Sequence, residues 1–194
     1  MKKVLEFAHQ ILAENVTKQD VCIDMTVGNG NDTLFLANIA KHVYGFDIQK
    51  EAITKTKEKL KTQKIDNVTL YLDNHAHLSF YQLDKVKGII FNLGYLPGKD
   101  KTITTQVEST LIALKQSLEC LVQGGICVCV IYPGHEEGFK ESQQIQQYVK
   151  HLNQKEYEVL QYAFINQIHE PPYLIAIKKL KEKENGNHDS CNIK

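Results

Sequence analysis

The 194-residue chain carries 23 basic and 23 acidic residues, no net charge and 42% hydrophobic residues, a size and balance that suit one domain with a full core. Zero net charge excludes a global basic field as a source of nucleic-acid affinity, and because every basic residue is lysine, any phosphate site lacks the bidentate guanidinium fork. No apolar stretch is long enough to span a bilayer, and the charged N-terminus with its early His9 lacks a signal peptide's apolar segment, so the expected location is cytoplasmic.

Val4, Phe7, Ala8, Ile11 and Leu12 recur at helical spacing, and the run VCIDM after Asp20 reads as a first strand. Glycine-rich VGNGND then opens a helix through TLFLANIA, and HVYGFDI is a second strand. Residues 50–62 form a lysine-rich helix, VTLYL at 68–72 a third strand and VKGIIFNL a fourth. A helix over 103–122 leads through Gly124-Gly125 to ICVCVIY, a continuous apolar strand of the kind covered on both faces. A helix over 137–152 precedes EVLQYAFI and YLIAIKKL, whose short connection, with Pro171-Pro172, implies an antiparallel pair at one edge.

This order predicts an α/β fold: a mostly parallel seven-stranded sheet with an antiparallel C-terminal pair and helices on both faces. One domain spans residues 1–180, and the polar segment 181–194 reads as a disordered tail. Cys22, Cys127 and Cys129 fall within strands as small core residues, and the five cysteines show no zinc spacing.

Ligands of such sheets bind at the strands' carboxyl ends. The first of these ends is DMTVGNGNDT, which places Asp24, Thr26, Gly28, Asn29, Gly30, Asn31 and Asp32 as candidate cofactor-binding residues. As a dinucleotide fingerprint the loop fails, because Thr33 stands where the third small residue belongs and Asp24 would repel a pyrophosphate. A ligand presenting a cationic amine fits better, and S-adenosylmethionine has a sulfonium, an amine, a ribose diol and an adenine. Asp47, ending the second strand, suits the diol, with Gln49 following it. Asp73, Asn74 and His75 after the third strand suit an adenine edge.

On these residues the chain resembles the class I S-adenosylmethionine-dependent methyltransferases, whose first motif Asp24, Gly28 and Gly30 match, with Thr26 in place of the usual first glycine. The resemblance covers residues 20–178 and implies a Rossmann-like fold. The set DMTVGNGNDT, GFDIQ, DNHAHL, FNLGYLPGKDK and YPGHEEG is similar to one bacterial family described as rRNA methylases. That resemblance implies methylation of the aminomethyl group of 5-aminomethyl-2-thiouridine at the tRNA wobble position; the small size leaves little surface for a whole tRNA, so the expected contact is the anticodon arm, or is shared across a dimer.

Asn92-Leu93-Gly94-Tyr95 resembles the Asn-Pro-Pro-Tyr motif of amino-group methyltransferases, with Leu93 and Gly94 replacing the prolines. In-line methyl transfer needs the attacking lone pair aimed along the breaking bond. The Asn92 side-chain oxygen and the Leu93 carbonyl suit the amine's hydrogens, Gly94 permits close approach, and Tyr95 suits stacking on the base. Asn92 and Tyr95 are therefore the candidate catalytic pair. Leu93, Gly94, Lys99, Lys101 and His135 are candidate substrate contacts.

Plainer roles compete with each of these. Asn92 could cap a turn, Lys99 and Lys101 could be solvated, and His135 before Glu136-Glu137 could start a helix. His75 and His77 form an H-x-H without an obvious third ligand, so no metal is expected. The lysines between Lys50 and Lys64 read as a solvated helix face, and Tyr132, Tyr162, Phe164 and Tyr173 default to the core. A methyltransferase of rRNA or of a small amine or phenol, and a non-catalytic binding module, stay open beside the tRNA reading, as does a homodimer.

Overall fold

The computed structural model describes residues 1–83, 85–94 and 107–181. Tyr95, Lys99, Lys101 and residues 182–194 of the expected tail lie outside the described residues. Chain order runs α1 (Val4–Asn15), β1 (Val21–Asp24), α2 (Asn31–Ile39), β2 (His42–Asp47), α3 (Lys50–Thr62), β3 (Val68–Leu72), a 3-10 helix (His75–Tyr81) and β4 (Val86–Asn92). Then follow α4 (Val107–Cys120), β5 (Leu121–Ile131), α5 (Glu136–Lys150), β6 (Tyr157–Tyr162) and β7 (Tyr173–Lys179). The strands form one sheet in the order β3-β2-β1-β4-β5-β7-β6. β7 runs antiparallel to both β5 and β6, and the other pairings are parallel.

Residue alternation along the central strands explains why both faces are covered. On β4, Ile89 and Phe91 point into a core shared with Leu114 and Leu118 of α4 and Ile145 and Val149 of α5. Ile90 faces the other way, with Ala8, Ile11 and Leu12 of α1 and Leu36 and Ala37 of α2. β5 repeats the pattern, Cys127 and Cys129 on one face and Val128 and Val130 on the other. Successive crossovers reverse between β1 and β4, so a crevice opens at the carboxyl ends of these two strands.

Two strand limits and one added element stand out against the sequence reading. β5 starts at Leu121 and runs through Gly124 and Gly125, where a helix end and a linker were expected, because Leu121 pairs with Val86 of β4 and the register then shifts. Gly124, at φ +70°, accommodates that irregularity. β6 stops at Tyr162, three residues short of the apolar run. The 3-10 helix is a structure whose short, mixed sequence carries no periodic signal.

Candidate active site

The glycine loop is built around Asp24. This carboxylate is fully buried and accepts hydrogen bonds from the Thr26 amide (3.0 Å) and the Thr33 hydroxyl (2.6 Å). Burial first, then the nearby charge of Asp32, pushes its pKa up to about 7, against the bonds from Thr33 and Thr26. Asp24 thus shapes the loop from beneath. Thr33, the residue that spoiled the dinucleotide fingerprint, is its hydroxyl partner.

Thr26 replaces a glycine for an equally local reason: its hydroxyl accepts the Asn92 backbone amide at 2.8 Å, tying the β1 loop to the end of β4. Gly30 enters α2 at φ +76°, and a Cβ there would stand 2.5 Å from the Thr56 hydroxyl of α3. Lys59 of α3 donates to the Asn29 carbonyl and to Asn31 Oδ1, bracing the loop's outer side.

Asp47, half-buried at the end of β2, accepts from the Gly28 amide on one carboxylate oxygen and from the Gln49 amide on the other, both at 2.8 Å. Asp24, Asp32 and Asp47 gather negative charge around a loop of backbone amides, and the charges of Asp32 and Asp47 both act to raise the pKa of Asp24. This donor set fits a cationic sulfonium and amine together with a hydroxyl-rich ribose, as S-adenosylmethionine carries, and does not fit a pyrophosphate.

The residues expected at an adenine edge also hold the segment after β3 in place. Asp73 accepts from His77 Nδ1 (2.8 Å), the Tyr81 hydroxyl (2.7 Å) and the Asn74 amide (2.7 Å). Burial opposes its charge, but these bonds outweigh burial and hold the pKa below the usual carboxylate range. Asn74 caps the 3-10 helix through Ala76 N at 2.9 Å. Buried His75 donates from Nδ1 to the Met25 carbonyl at 3.0 Å, and desolvation keeps it neutral. Asp73 and His75 tie the 3-10 helix to the strand ends and Asn74 caps it, a use that strand-end polarity in the sequence does not separate from ligand contact. Among the described residues no group of three metal-binding side chains converges.

Asn92 ends β4 half-buried, and its Nδ2 donates to Asp32 Oδ2 at 2.9 Å. Asp32, 4% exposed in the first turn of α2, therefore stands behind Asn92 as its partner. Its other oxygen meets His9 Nε2 of α1 at 2.6 Å. Leu93 extends the pairing of β4 with β5 through the Val130 carbonyl and buries its side chain. Gly94 is exposed and faces Tyr132, whose ring would lie 3.1 Å from a Cβ at that position.

Tyr132 is half-buried beside this opening and packs against the core on the α1 and α2 side of the sheet, as expected, and burial followed by the charge of Asp32 raises its phenol pKa. His135 caps α5 by accepting the Gly138 amide on Nδ1 at 2.9 Å, the helix-start role. His9 escaped the sequence reading because it meets Asp32 from α1, 23 residues away in the chain, and Tyr132 because an aromatic residue closing an apolar strand reads as core.

The fold and this crevice define an S-adenosylmethionine-dependent methyltransferase, and comparison with known proteins agrees. Residues 43–178 match the family described as "Putative rRNA methylase", and the chain belongs to that family. A Streptococcus mutans protein crystallised as a methyltransferase in complex with SAH is 42% identical with a TM-score of 0.88, covering 93% of this chain and 99% of that one. A Clostridium thermocellum protein described as an rRNA-methylase is 41% identical at a TM-score of 0.89, with the same coverage. The chloroplastic tRNA (mnm5s2U34)-methyltransferase of Arabidopsis thaliana is 32% identical over 92% of this chain and 70% of its own length.

Proposed function

We propose that this methyltransferase acts on RNA at the wobble uridine of tRNA, methylating the aminomethyl group of 5-aminomethyl-2-thiouridine to the methylaminomethyl form. The observation that carries the reading is the orientation of Asn92. Its amide nitrogen is turned toward Asp32, and a carboxylate only accepts, so the carbonyl oxygen is the end that can accept hydrogens from a substrate amine. The similarity to the Arabidopsis wobble methyltransferase over most of both chains supports the same substrate.

When bound, S-adenosylmethionine supplies an electrophilic methyl group on a sulfonium. The chain's own residues hold and orient the acceptor. Asn92 Oδ1 accepts an amine hydrogen and so aims the nitrogen lone pair, while exposed Gly94 lets the substrate approach beside the Tyr132 ring. Tyr95, Lys99 and Lys101 belong to this reading as base-stacking and phosphate contacts. Because only the neutral amine carries a free lone pair, turnover is expected to rise with pH across the titration of the substrate ammonium.

The reading places recognition at the anticodon arm, by one copy or shared across a homodimer, and the cytoplasm is the compartment it implies. The test is transfer of labelled methyl from S-adenosylmethionine to total tRNA from a strain lacking this gene, followed by nucleoside mass analysis. Conversion of aminomethyl-thiouridine to methylaminomethyl-thiouridine is expected. Cofactor binding without label in tRNA overturns the reading and moves rRNA and small amines forward.

A further inference from the structure

We infer that His9, on α1, is a positioning residue for methyl transfer, setting the side-chain orientation of Asn92 through Asp32. The inference rests on the reading of Asn92 as the group that orients the acceptor amine. The terminal torsion of an asparagine side chain is broad and roughly two-fold, so an unanchored Asn92 would present nitrogen or oxygen to the crevice almost indifferently. Asp32 removes that freedom, since its carboxylate can only accept and so draws the Nδ2 end, at 2.9 Å.

Asp32 needs an anchor of its own. His9 Nε2 meets Asp32 Oδ1 at 2.6 Å, a short contact of the kind charge-assisted bonds make. The imidazole is in turn fixed by stacking on Phe35 of α2, with ring centroids 3.9 Å apart and planes 6° from parallel. Asp32 is 4% exposed, so its two side-chain partners, His9 and Asn92, replace solvent on its two oxygens. Losing His9 would leave a buried carboxylate oxygen unpaired beside Asn92, and the side chain would turn to relieve it.

The chain of contacts runs from a helix packed across β4, β5 and β7 to the carboxyl end of β4. Both His9 and Asp32 lie outside residues 43–178, the segment that carries the family match. A purely structural His9 would tie α1 to α2 through its stack on Phe35 and would have no effect on Asn92. Two substitutions separate these roles. His9→Phe keeps the aromatic stack and removes the donor; His9→Gln removes the stack and keeps an amide donor near the position of Nε2.

For the positioning role, H9F lowers kcat about tenfold while leaving the dissociation constant for S-adenosylmethionine unchanged, and H9Q recovers most of that loss. The Asn92 side-chain amide signals, assigned in 15N spectra by their absence from Asn92→Ala, shift and exchange faster with solvent in H9F and return toward wild type in H9Q. Wild-type kcat in H9F, unmoved Asn92 amide signals, or losses that follow melting temperature alone overturn the inference. Should H9F fail to fold, Asp32→Asn decides by the same two readouts: unchanged kcat and unmoved signals sink it. If the wild-type protein does not methylate aminomethyl-thiouridine tRNA, the substrate reading fails, and the amide signals still decide the role of His9.

Discussion

Asn92 and Asp47 flank β1 from opposite sides, on β4 and β2, and the roles proposed for them divide turnover from binding. Asp47 organises the loop amides of Gly28 and Gln49, so Asp47→Ala is expected to abolish S-adenosylmethionine binding in a calorimetric titration. Asn92→Ala is expected to leave that binding largely intact and to lower turnover by about a hundredfold or more, since the acceptor loses its orienting bond. Normal turnover in Asn92→Ala would remove it from the catalytic pair. Both residues were legible in the sequence because each is a polar side chain closing an apolar strand. Asp32 was legible too, but its pairing with Asn92 was not: no spacing rule joins them, and 60 residues separate the two.

Elements carry the next constraints. Gly30 begins α2 in the left-handed region, with α3 closing over it through Thr56. Gly30→Ala is therefore expected to destabilise the protein by about 1–3 kcal/mol in denaturant titration and to weaken cofactor binding, because the loop moves with the helix start. Between α4 and α5, Glu141 is 6% exposed and accepts the Thr110 hydroxyl at 2.6 Å.

Burial, opposed by the Thr110 bond, raises the Glu141 pKa from 4.5 to about 7. The folded state therefore binds this proton more tightly than the unfolded chain does. The stabilisation is full below about 4.5 and is lost as pH rises through about 7. Glu141→Gln, which keeps an acceptor for Thr110, should match wild type near pH 4 and exceed it by about 3 kcal/mol at pH 8 in denaturant titration. An equal difference at both pH values would contradict this account. Neither Gly30's left-handed backbone nor Glu141's burial is visible in the sequence, which shows a glycine in a loop and a glutamate on a polar helix.

At the scale of the whole molecule, neutrality and the absence of arginine limit how an RNA is held. Binding of tRNA should depend only shallowly on salt, with a log–log slope no steeper than about −4, as few phosphates are neutralised. A filter-binding series across salt concentrations measures it, and a steep slope would point to an extended lysine surface such as the outer face of α3. The sequence by itself determined the order of strands and helices, the antiparallel last pair, and which strand ends carry polar groups, because apolar periodicity and turn residues are local properties that solvent exclusion reads directly. Only the tertiary structure decided what those polar groups do. It gave Asp73, Asn74 and His75 to the 3-10 helix, buried Asp24 beneath its own loop, and joined His9 to Asn92 through Asp32. Side-chain partnerships at a crevice follow from which distant elements pack together, and no spacing within one element encodes that.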